Sequence, residues 1–230
     1  MINWNKMIEP NEIFFENDQR IALWCNDVQD TTDLAGIANL ILEKKIPLVS
    51  VPPETVSFLW ACLEKTDVKI LTRYNFSTFG QSFENAFSEI SKNISDVQKQ
   101  GAHGVQIFLD MNNFEKFINT MSVIRDGLFF WHELSIIMDI DKIEIFDWDL
   151  IFKKLREIRA TAFGIYSSED NSGKNSKFIG RIFTMLKNWD FIGDLHLILK
   201  NDFYHIDQVI RLVDAEKPEL VDKIHVFIES

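Results

Sequence analysis

The sequence predicts an α/β protein folded as a (β/α)8 barrel, which is a closed ring of eight parallel strands surrounded by helices. Short apolar runs rich in Val, Ile, Leu and Phe alternate along the chain with longer amphipathic segments, as strands and helices do in βαβ units. There are eight such runs, and eight units joined by right-handed crossovers close most simply into a barrel. An open doubly wound sheet is the alternative, but no Gly-x-Gly-x-x-Gly motif follows the first run.

The predicted strands coincide with the eight apolar runs. They span residues 20–27, 46–52, 68–76, 104–110, 134–140, 160–167, 194–202 and 223–230. None of the runs alternates strictly between apolar and polar residues. Continuous apolar runs of this kind are typical of parallel strands that are covered on both faces.

Helices are predicted in the amphipathic segments between these strands. The clearest span residues 33–45, 82–100, 114–127, 149–159 and 178–189. Residues that commonly cap helix N-termini precede several of them, including Thr32, Ser82 and Asn113. Gly101 and Gly127 fall where two of the helices would end.

The pattern predicts one barrel domain over residues 20–230, preceded by an N-terminal extension over residues 1–19. Because the sequence ends at Ser230, at the rim of the eighth strand, we expect the last outer helix to be missing. The extension could cover the resulting gap or the floor of the barrel.

The composition narrows the classes of partner. The formal net charge is −11, from 35 acidic and 24 basic residues, so a nucleic-acid partner is not expected. No apolar run reaches the ~20 residues of a membrane-spanning helix and no signal peptide is visible, so we expect a cytoplasmic protein without a membrane partner.

Cys25 and Cys62 are expected to be reduced thiols in the core. A small-molecule substrate and a homo-oligomer remain open, and no cofactor is predicted.

The functional site of such a barrel lies where the strands end, in the loops that follow them. Lys200 ends the run LHLILK, and an amine in a partly dry pocket can attack a carbonyl group to form a Schiff base. The alternative is a lysine whose stem packs while its ammonium group reaches solvent or a nearby acid. The predicted catalytic residues are Lys200, Tyr166 and Asp139, and the predicted substrate-binding residues are Arg73, Asn75, Gln106, Asp110 and Ser168.

A metal site is a weaker alternative at the same strand ends. Asp110, Asp139 and Asp141 could converge on a divalent cation, which would suit a metal-dependent lyase or hydrolase. Helix capping explains acids at these positions equally well. The histidines are scattered and none pairs at i, i+4, so no histidine metal site is predicted.

Three stretches carry a resemblance to a known family. IPLVSVPPETVSFLWACLEKTDVKILTRYNFSTFG (46–80) resembles a strand, turn, helix and following strand of the deoxyribose-phosphate aldolases, which are class I aldolases. KQGAHGVQIFLDMNNF (99–114) and LSIIMDI (134–140) resemble the segments that follow. The resemblance covers roughly residues 30 to 200. It implies a (β/α)8 barrel that forms or cleaves carbon–carbon bonds through a lysine Schiff base.

The residues that carry the family's chemistry are changed. The Schiff-base lysine of the family's sixth strand falls on Ile165, and Gln106 stands where the family has its proton-transfer Asp. The glycine turns that bind phosphate are replaced by residues 203–205 and 227–229, whereas the family's second lysine matches Lys200. The sequence therefore predicts either a divergent aldolase-like lyase that uses Lys200 or a catalytically inactive barrel that serves as a binding or scaffold protein.

Overall fold

The strands form a closed parallel barrel in a computed structural model that describes residues 19–25, 31–75, 83–109, 114–168, 175–199 and 203–229. The strands are β1 (Ile21–Trp24), β2 (Leu48–Val51), β3 (Lys69–Asn75), β4 (Gly104–Leu109), β5 (Glu133–Asp139), β6 (Ala162–Tyr166), β7 (Asp194–Leu199) and β8 (Ile224–Glu229). Each strand pairs with the next one in sequence, and β8 pairs with β1 to close the ring. The predicted barrel is confirmed.

Helices cover the outside of the barrel. They are α1 (Thr31–Lys44), α2 (Val56–Leu63), α3 (Phe83–Lys99), α4 (Phe114–Gly127), α5 (Trp148–Glu157), α6 (Asn175–Lys187) and α7 (Phe203–Glu216). Short 3₁₀ helices span Pro53–Thr55, Ile140–Lys142, Ile145–Asp147 and Pro218–Lys223. The five helices predicted from amphipathic segments are confirmed to within three residues at each end.

Alternate residues of each strand face the barrel interior. Ala22, Trp24, Leu48, Leu71 and Phe227 form a cluster inside the barrel. Their neighbours in sequence point outward, where they pack with the helices in two larger apolar clusters. Both faces of the sheet are therefore buried, which explains why the strands read as continuous apolar runs.

Residues with left-handed backbone follow three of the helices in the described part of the chain. Lys45, Gly101 and Arg159 follow α1, α3 and α5 with φ angles of 53°, 106° and 55°. After α3, the Gly101 N–H donates to the Gln98 carbonyl (3.2 Å) and the Ala102 N–H donates to the Val97 carbonyl (2.9 Å). This pair of bonds is the Schellman motif, so the predicted role of Gly101 as a helix terminator is confirmed.

The cysteines differ from the expectation that both lie in the core. Cys25 is buried beneath α1, but Cys62 is exposed on α2, and both are free thiols. Among the described residues, no helix is both long enough and apolar enough to span a bilayer. Residues 1–18, which make up most of the predicted extension, lie outside the described part of the chain.

Candidate functional site

The rim of the barrel brings Asp139 and Tyr166 together. Asp139 ends β5, Tyr166 ends β6, and the two are register partners in the parallel pair. Register partners on parallel strands point to the same face. This face is the interior, because the Tyr166 ring lies 5.4 Å from the ring of Phe108, which packs against the interior cluster. The predicted pair of catalytic side chains therefore shares one face at the C-terminal end of the barrel.

The Asp139 carboxylate is buried and is held by backbone donors. Its Oδ1 accepts hydrogen bonds from the N–H groups of Ser168 and Asp141, each at 3.2 Å. Its Oδ2 lies 3.3 Å from the Lys142 ammonium group. The side chain is only 3% exposed. Asp139 therefore ties the end of β5 to the segment that follows β6, with Ser168 contributing its backbone rather than its hydroxyl.

Asp141 is also occupied by protein groups. Its Oδ2 accepts a hydrogen bond from the Ser167 hydroxyl, and its Oδ1 lies 3.8 Å from the Arg181 guanidinium group. In the described part of the chain, no group of three His, Cys, Asp or Glu side chains is arranged to hold a metal ion. Asp110, the third acid of the metal alternative, lies outside the described residues.

Arg73 faces inward from β3 and contacts neighbouring strands. Its guanidinium donates to the carbonyl of Ser50 (3.0 Å) and to that of Cys25. The same group lies 4.5 Å from the centroid of the Trp24 ring, which is a cation–π distance. The predicted binding residue Asn75 ends β3, where it is half-buried in register with Phe108.

An aromatic layer packs inside the barrel next to these rim residues. The Trp24 ring lies 5.6 Å from that of Phe108 and 6.0 Å from that of Phe227, both in edge-to-face geometry. Tyr166 extends the layer through its contact with Phe108. Trp24 and Phe227 are 7% and 0% exposed. A group that enters the mouth would therefore meet an apolar floor.

Below the aromatic layer lies a network of buried polar side chains. The Ser50 hydroxyl donates to Gln106 Oε1 (2.5 Å), and Gln106 Nε2 lies 3.1 Å from His196 Nδ1. The Ser135 hydroxyl is also 3.1 Å from this nitrogen. All four side chains are fully buried. Gln106 was predicted at the substrate mouth, but it lies in the middle of the barrel and bonds to protein groups.

The network continues to a buried carboxyl group at the start of β5. With Gln106 Nε2 donating to Nδ1, His196 carries its proton on Nε2, which lies 3.4 Å from Glu133 Oε1. Burial, followed by the charge of Asp194, raises the pKa of Glu133 from 4.5 to about 8. Burial also lowers the pKa of His196 well below 6.5 and that of nearby His225 to about 4. At neutral pH the interior therefore holds neutral histidines beside a protonated carboxyl group.

The assignment of the family's Schiff-base lysine to Ile165 does not agree with the face that Ile165 occupies. Ile165 is fully buried in the outer cluster, between the sheet and the helices. Its neighbours on β6, Gly164 and Tyr166, have the opposite orientation, toward the interior. A one-residue shift in alignment reverses every side chain of a strand, so Tyr166 is the residue that β6 presents near the mouth.

Lys200 lies outside the described residues, directly after the end of β7. Sequence reasoning also missed the four residues of the polar network as a unit. Their signal is a polar residue within each of four apolar strands, namely Ser50, Gln106, Ser135 and His196. The sequence could not show that these four side chains lie at the same height along the barrel axis, because that height depends on the stagger of the strands around the barrel.

Comparison with known proteins supports the fold. No family model matches the sequence, and no curated protein sequence matches it. A Toxoplasma gondii ME49 protein assigned to the deoxyribose-phosphate aldolases superposes with a TM-score of 0.70 at 12% identity, covering 92% of this chain and 88% of that one. The chain therefore shares the (β/α)8 barrel fold of that protein.

Two further structures agree with this fold. The deoxyribose-phosphate aldolase of Aeropyrum pernix, whose structure is tetrameric, superposes with a TM-score of 0.67 at 14% identity, covering 92% of this chain and 85% of that one. An aldolase called QR15 gives a TM-score of 0.65 at 11% identity, covering 92% and 91% of the two chains. At these low sequence identities, the structural similarity shows only that the chain and these proteins share a fold.

Proposed function

We propose that the protein is a divergent carbon–carbon lyase that acts on a small aldehyde or keto compound through an imine on Lys200. The observation that carries this proposal is the alternation along β7. His196 bonds within the interior network, and Ile198 packs against the interior cluster. If the alternation continues one residue past the end of β7, residue 200 would face the same side as these two, at the end of the barrel where Asp139 and Tyr166 meet.

The aromatic layer supports a reactive amine at this position. A lysine near Trp24, Phe108 and Tyr166 would be poorly solvated, and desolvation favours the neutral amine over the ammonium form. The neutral amine would attack the substrate carbonyl, and loss of water would leave a protonated imine. That imine would withdraw electrons from the adjacent carbon–carbon bond as it breaks.

Proton transfer falls to the groups that share the mouth. Cleavage requires a base to take the proton from the substrate hydroxyl group as the aldehyde leaves. The resulting enamine then needs a proton on carbon before water releases the product and restores the amine. Tyr166 and Asp139 are the inward-facing described side chains at the rim that could accept and return this proton.

Reductive trapping tests the proposal. The protein is incubated with acetaldehyde, pyruvate or glyceraldehyde, reduced with borohydride, digested and mapped by mass spectrometry. We expect one secondary-amine adduct, on Lys200, which is lost in Lys200→Arg and kept in the control Lys217→Arg. Lys217 is a suitable control because it lies in the α7–β8 connection, away from the mouth, where its ammonium group contacts the Trp189 carbonyl of the α6–β7 connection. Absence of an adduct on Lys200 with all three compounds would refute the lyase.

A second candidate is a catalytically inactive barrel that serves as a binding or scaffold protein. Gln106, at the position of the family's proton-transfer Asp, is fully buried and bonded to Ser50 and His196. An amide in such a network contributes to stability and cannot act as a base. This candidate predicts that trapping fails and that Lys200→Arg leaves every binding property of the protein unchanged.

A further inference from the structure

Three aromatic residues in a row project from one end of the barrel. Phe129, Phe130 and Trp131, here called the aromatic knob, connect α4 to β5 at the end where the strands begin. They are 50%, 90% and 76% exposed. The Phe129 and Trp131 rings stack with centroids 5.5 Å apart. Exposed aromatic clusters of this kind are typical of interaction sites.

Buried polar side chains hold the knob in one conformation. Arg125, which is 8% exposed, donates from Nη1 to the His132 carbonyl (2.6 Å) and from Nη2 to the Phe130 carbonyl (2.8 Å). Gln98 Oε1 accepts a hydrogen bond from the Phe129 N–H at 2.8 Å. Rings presented on a backbone that is already ordered lose little conformational entropy when they bind.

An apolar cavity lies at the other end of β5. Its volume is about 310 Å³, and it opens to solvent between the 3₁₀ helices that follow β5, the start of α5 and one face of α6. Its apolar lining comes from Ile140, Ile143, Ile145 and Trp148, and Lys177 and Arg181 also line it. A Cβ atom added at Gly180 would meet no atom within 4 Å, so the missing side chain leaves space in the cavity.

The cavity has the chemistry to receive an aromatic ring. Ile145 is 62% exposed and the adjacent Phe146 is 94% exposed, so apolar surface extends beyond the cavity itself. Arg181 donates to the carbonyls of Ile140 (2.8 Å) and Ile143 (3.1 Å), which fixes that wall. Lys177 and Arg181 supply cations in the same lining, and aromatic faces attract cations.

We propose that the aromatic knob of one copy of this chain inserts into the apolar cavity of a second copy. Knob and cavity lie at opposite ends of β5, so the contact is head to tail, and each copy retains one unused knob or cavity for a further copy. A fully covered aromatic side chain buries ~150–250 Å², and Phe130 and Trp131 still expose most of their surface, so the knob can supply a substantial share of the ~800 Å² per partner of a stable interface.

Two variants with complementary defects test the proposal by sedimentation velocity. Phe130→Ala/Trp131→Ala removes the knob and keeps the cavity, whereas Gly180→Trp fills the cavity and keeps the knob. We expect the wild type to self-associate, each variant alone to be monomeric, and an equimolar mixture of the two to form a one-to-one dimer that grows no further. Ile192→Ala is the matched control, because Ile192 is 83% exposed in the α6–β7 connection at the same end of the barrel. It should associate as the wild type does.

The other outcomes overturn the proposal. A wild type that is monomeric at every concentration, or a knob-less variant that associates normally, removes the knob from assembly. If Gly180→Trp still associates while the knob-less variant does not, the knobs of two copies meet each other across a two-fold axis. Binding of the monomer to phosphatidylcholine vesicles through the knob would show that the knob binds a lipid surface rather than a second copy of the chain. Unchanged circular dichroism and melting temperature of each variant show that these outcomes do not arise from misfolding.

Discussion

At the scale of single residues, the most unusual group is the carboxyl of Glu133. It faces the barrel interior beside His196, with side-chain exposure of 13%. Burial is the largest cause of the raised pKa of this carboxyl group. The charge of Asp194 raises the pKa further, and the charge of Lys69 opposes the rise. Neither Glu133 Oε1 nor His196 Nε2 has a hydrogen-bond partner within the described residues, so nothing compensates the cost of burying the charged carboxylate.

Glu133→Gln should change how stability depends on pH. Between pH 4.5 and about 8, the unfolded chain has an ionised Glu133 while the folded protein keeps it protonated. The folded state binds more protons, so this carboxyl lowers the free energy of unfolding as pH rises through that window. The amide of Glu133→Gln does not titrate, so the variant avoids this decrease in the free energy of unfolding. As pH rises, its stability relative to the wild type should increase by at most about 1.4 kcal/mol per pH unit.

Urea unfolding of both proteins from pH 5 to pH 8 measures this difference. His132 and His225, whose pKa values burial lowers to about 4, give the opposite slope between pH 4 and 6.5. They are present in both proteins, so their contribution cancels in the comparison. Parallel stability curves for the two proteins would contradict a protonated Glu133.

At the scale of elements, the residue that terminates α3 determines how the end of this helix packs against α2. Gly101 ends α3 with a positive φ, and its backbone packs against the Trp60 ring of α2, so an added Cβ atom would collide with that ring. Trp60 in turn lies 5.5 Å from the ring of His103. The glycine thus meets a conformational and a steric requirement at one position.

Gly101→Ala and Gly36→Ala should have opposite effects on stability. Gly36 lies inside α1, where an added Cβ would meet no atom within 4 Å, so alanine should raise the free energy of unfolding by ~0.5–1 kcal/mol. At Gly101, left-handed backbone alone costs alanine ~1–2 kcal/mol, and the contact with Trp60 adds to it. Chemical denaturation measures both, and equal effects at the two glycines would contradict the described end of α3.

At the scale of the whole molecule, the interior aromatic layer connects the last strand to the first, which pair to close the barrel. Phe227 on β8 is register partner of Ala22 on β1, at the pair that closes the barrel. Its ring also contacts those of Trp24 (6.0 Å) and His196 (5.0 Å). A cavity at this position would weaken the closure of the barrel as well as the packing of its interior.

Phe227→Ala should therefore destabilise the whole fold, whereas Phe130→Ala should not. The buried ring leaves a cavity that costs ~3–5 kcal/mol, and an exposed ring typically changes stability by less than ~0.5 kcal/mol. Phe227 is 0% exposed and Phe130 is 90% exposed, so the same substitution is compared in two environments. Thermal unfolding of dilute protein measures both variants. A similar loss in the two would contradict the packed interior.

The sequence predicted the architecture because apolar runs and helical periodicity are local signals. All eight strands and the five named helices lie where those signals occur. The faces of the strands could not be predicted, because runs that are apolar on both sides do not indicate which residues point inward. The comparison that places the family's lysine on Ile165 is accordingly one residue away from Tyr166, which faces the interior.

The candidate site was predicted only in part. Asp139, Tyr166 and Ser168 meet at the rim as expected, because strand ends of a parallel barrel gather at one end. The burial of Gln106 depends on side-chain contacts between distant strands, with Ser50 and His196, which no local pattern contains. The aromatic knob likewise depends on Arg125 and Gln98, which lie on two different helices.

Imine chemistry requires Lys200 to be a reactive amine at the mouth of the barrel, and the pKa of Lys200 can be measured without any substrate. Lysines labelled by reductive methylation with carbon-13 can be titrated by NMR, and Lys200→Arg identifies the signal of Lys200. For a poorly solvated Lys200 we expect a pKa at least about one unit below the ordinary lysine value of about 10.4. A pKa at or above that value would show a solvated or ion-paired ammonium group and would contradict imine chemistry at Lys200.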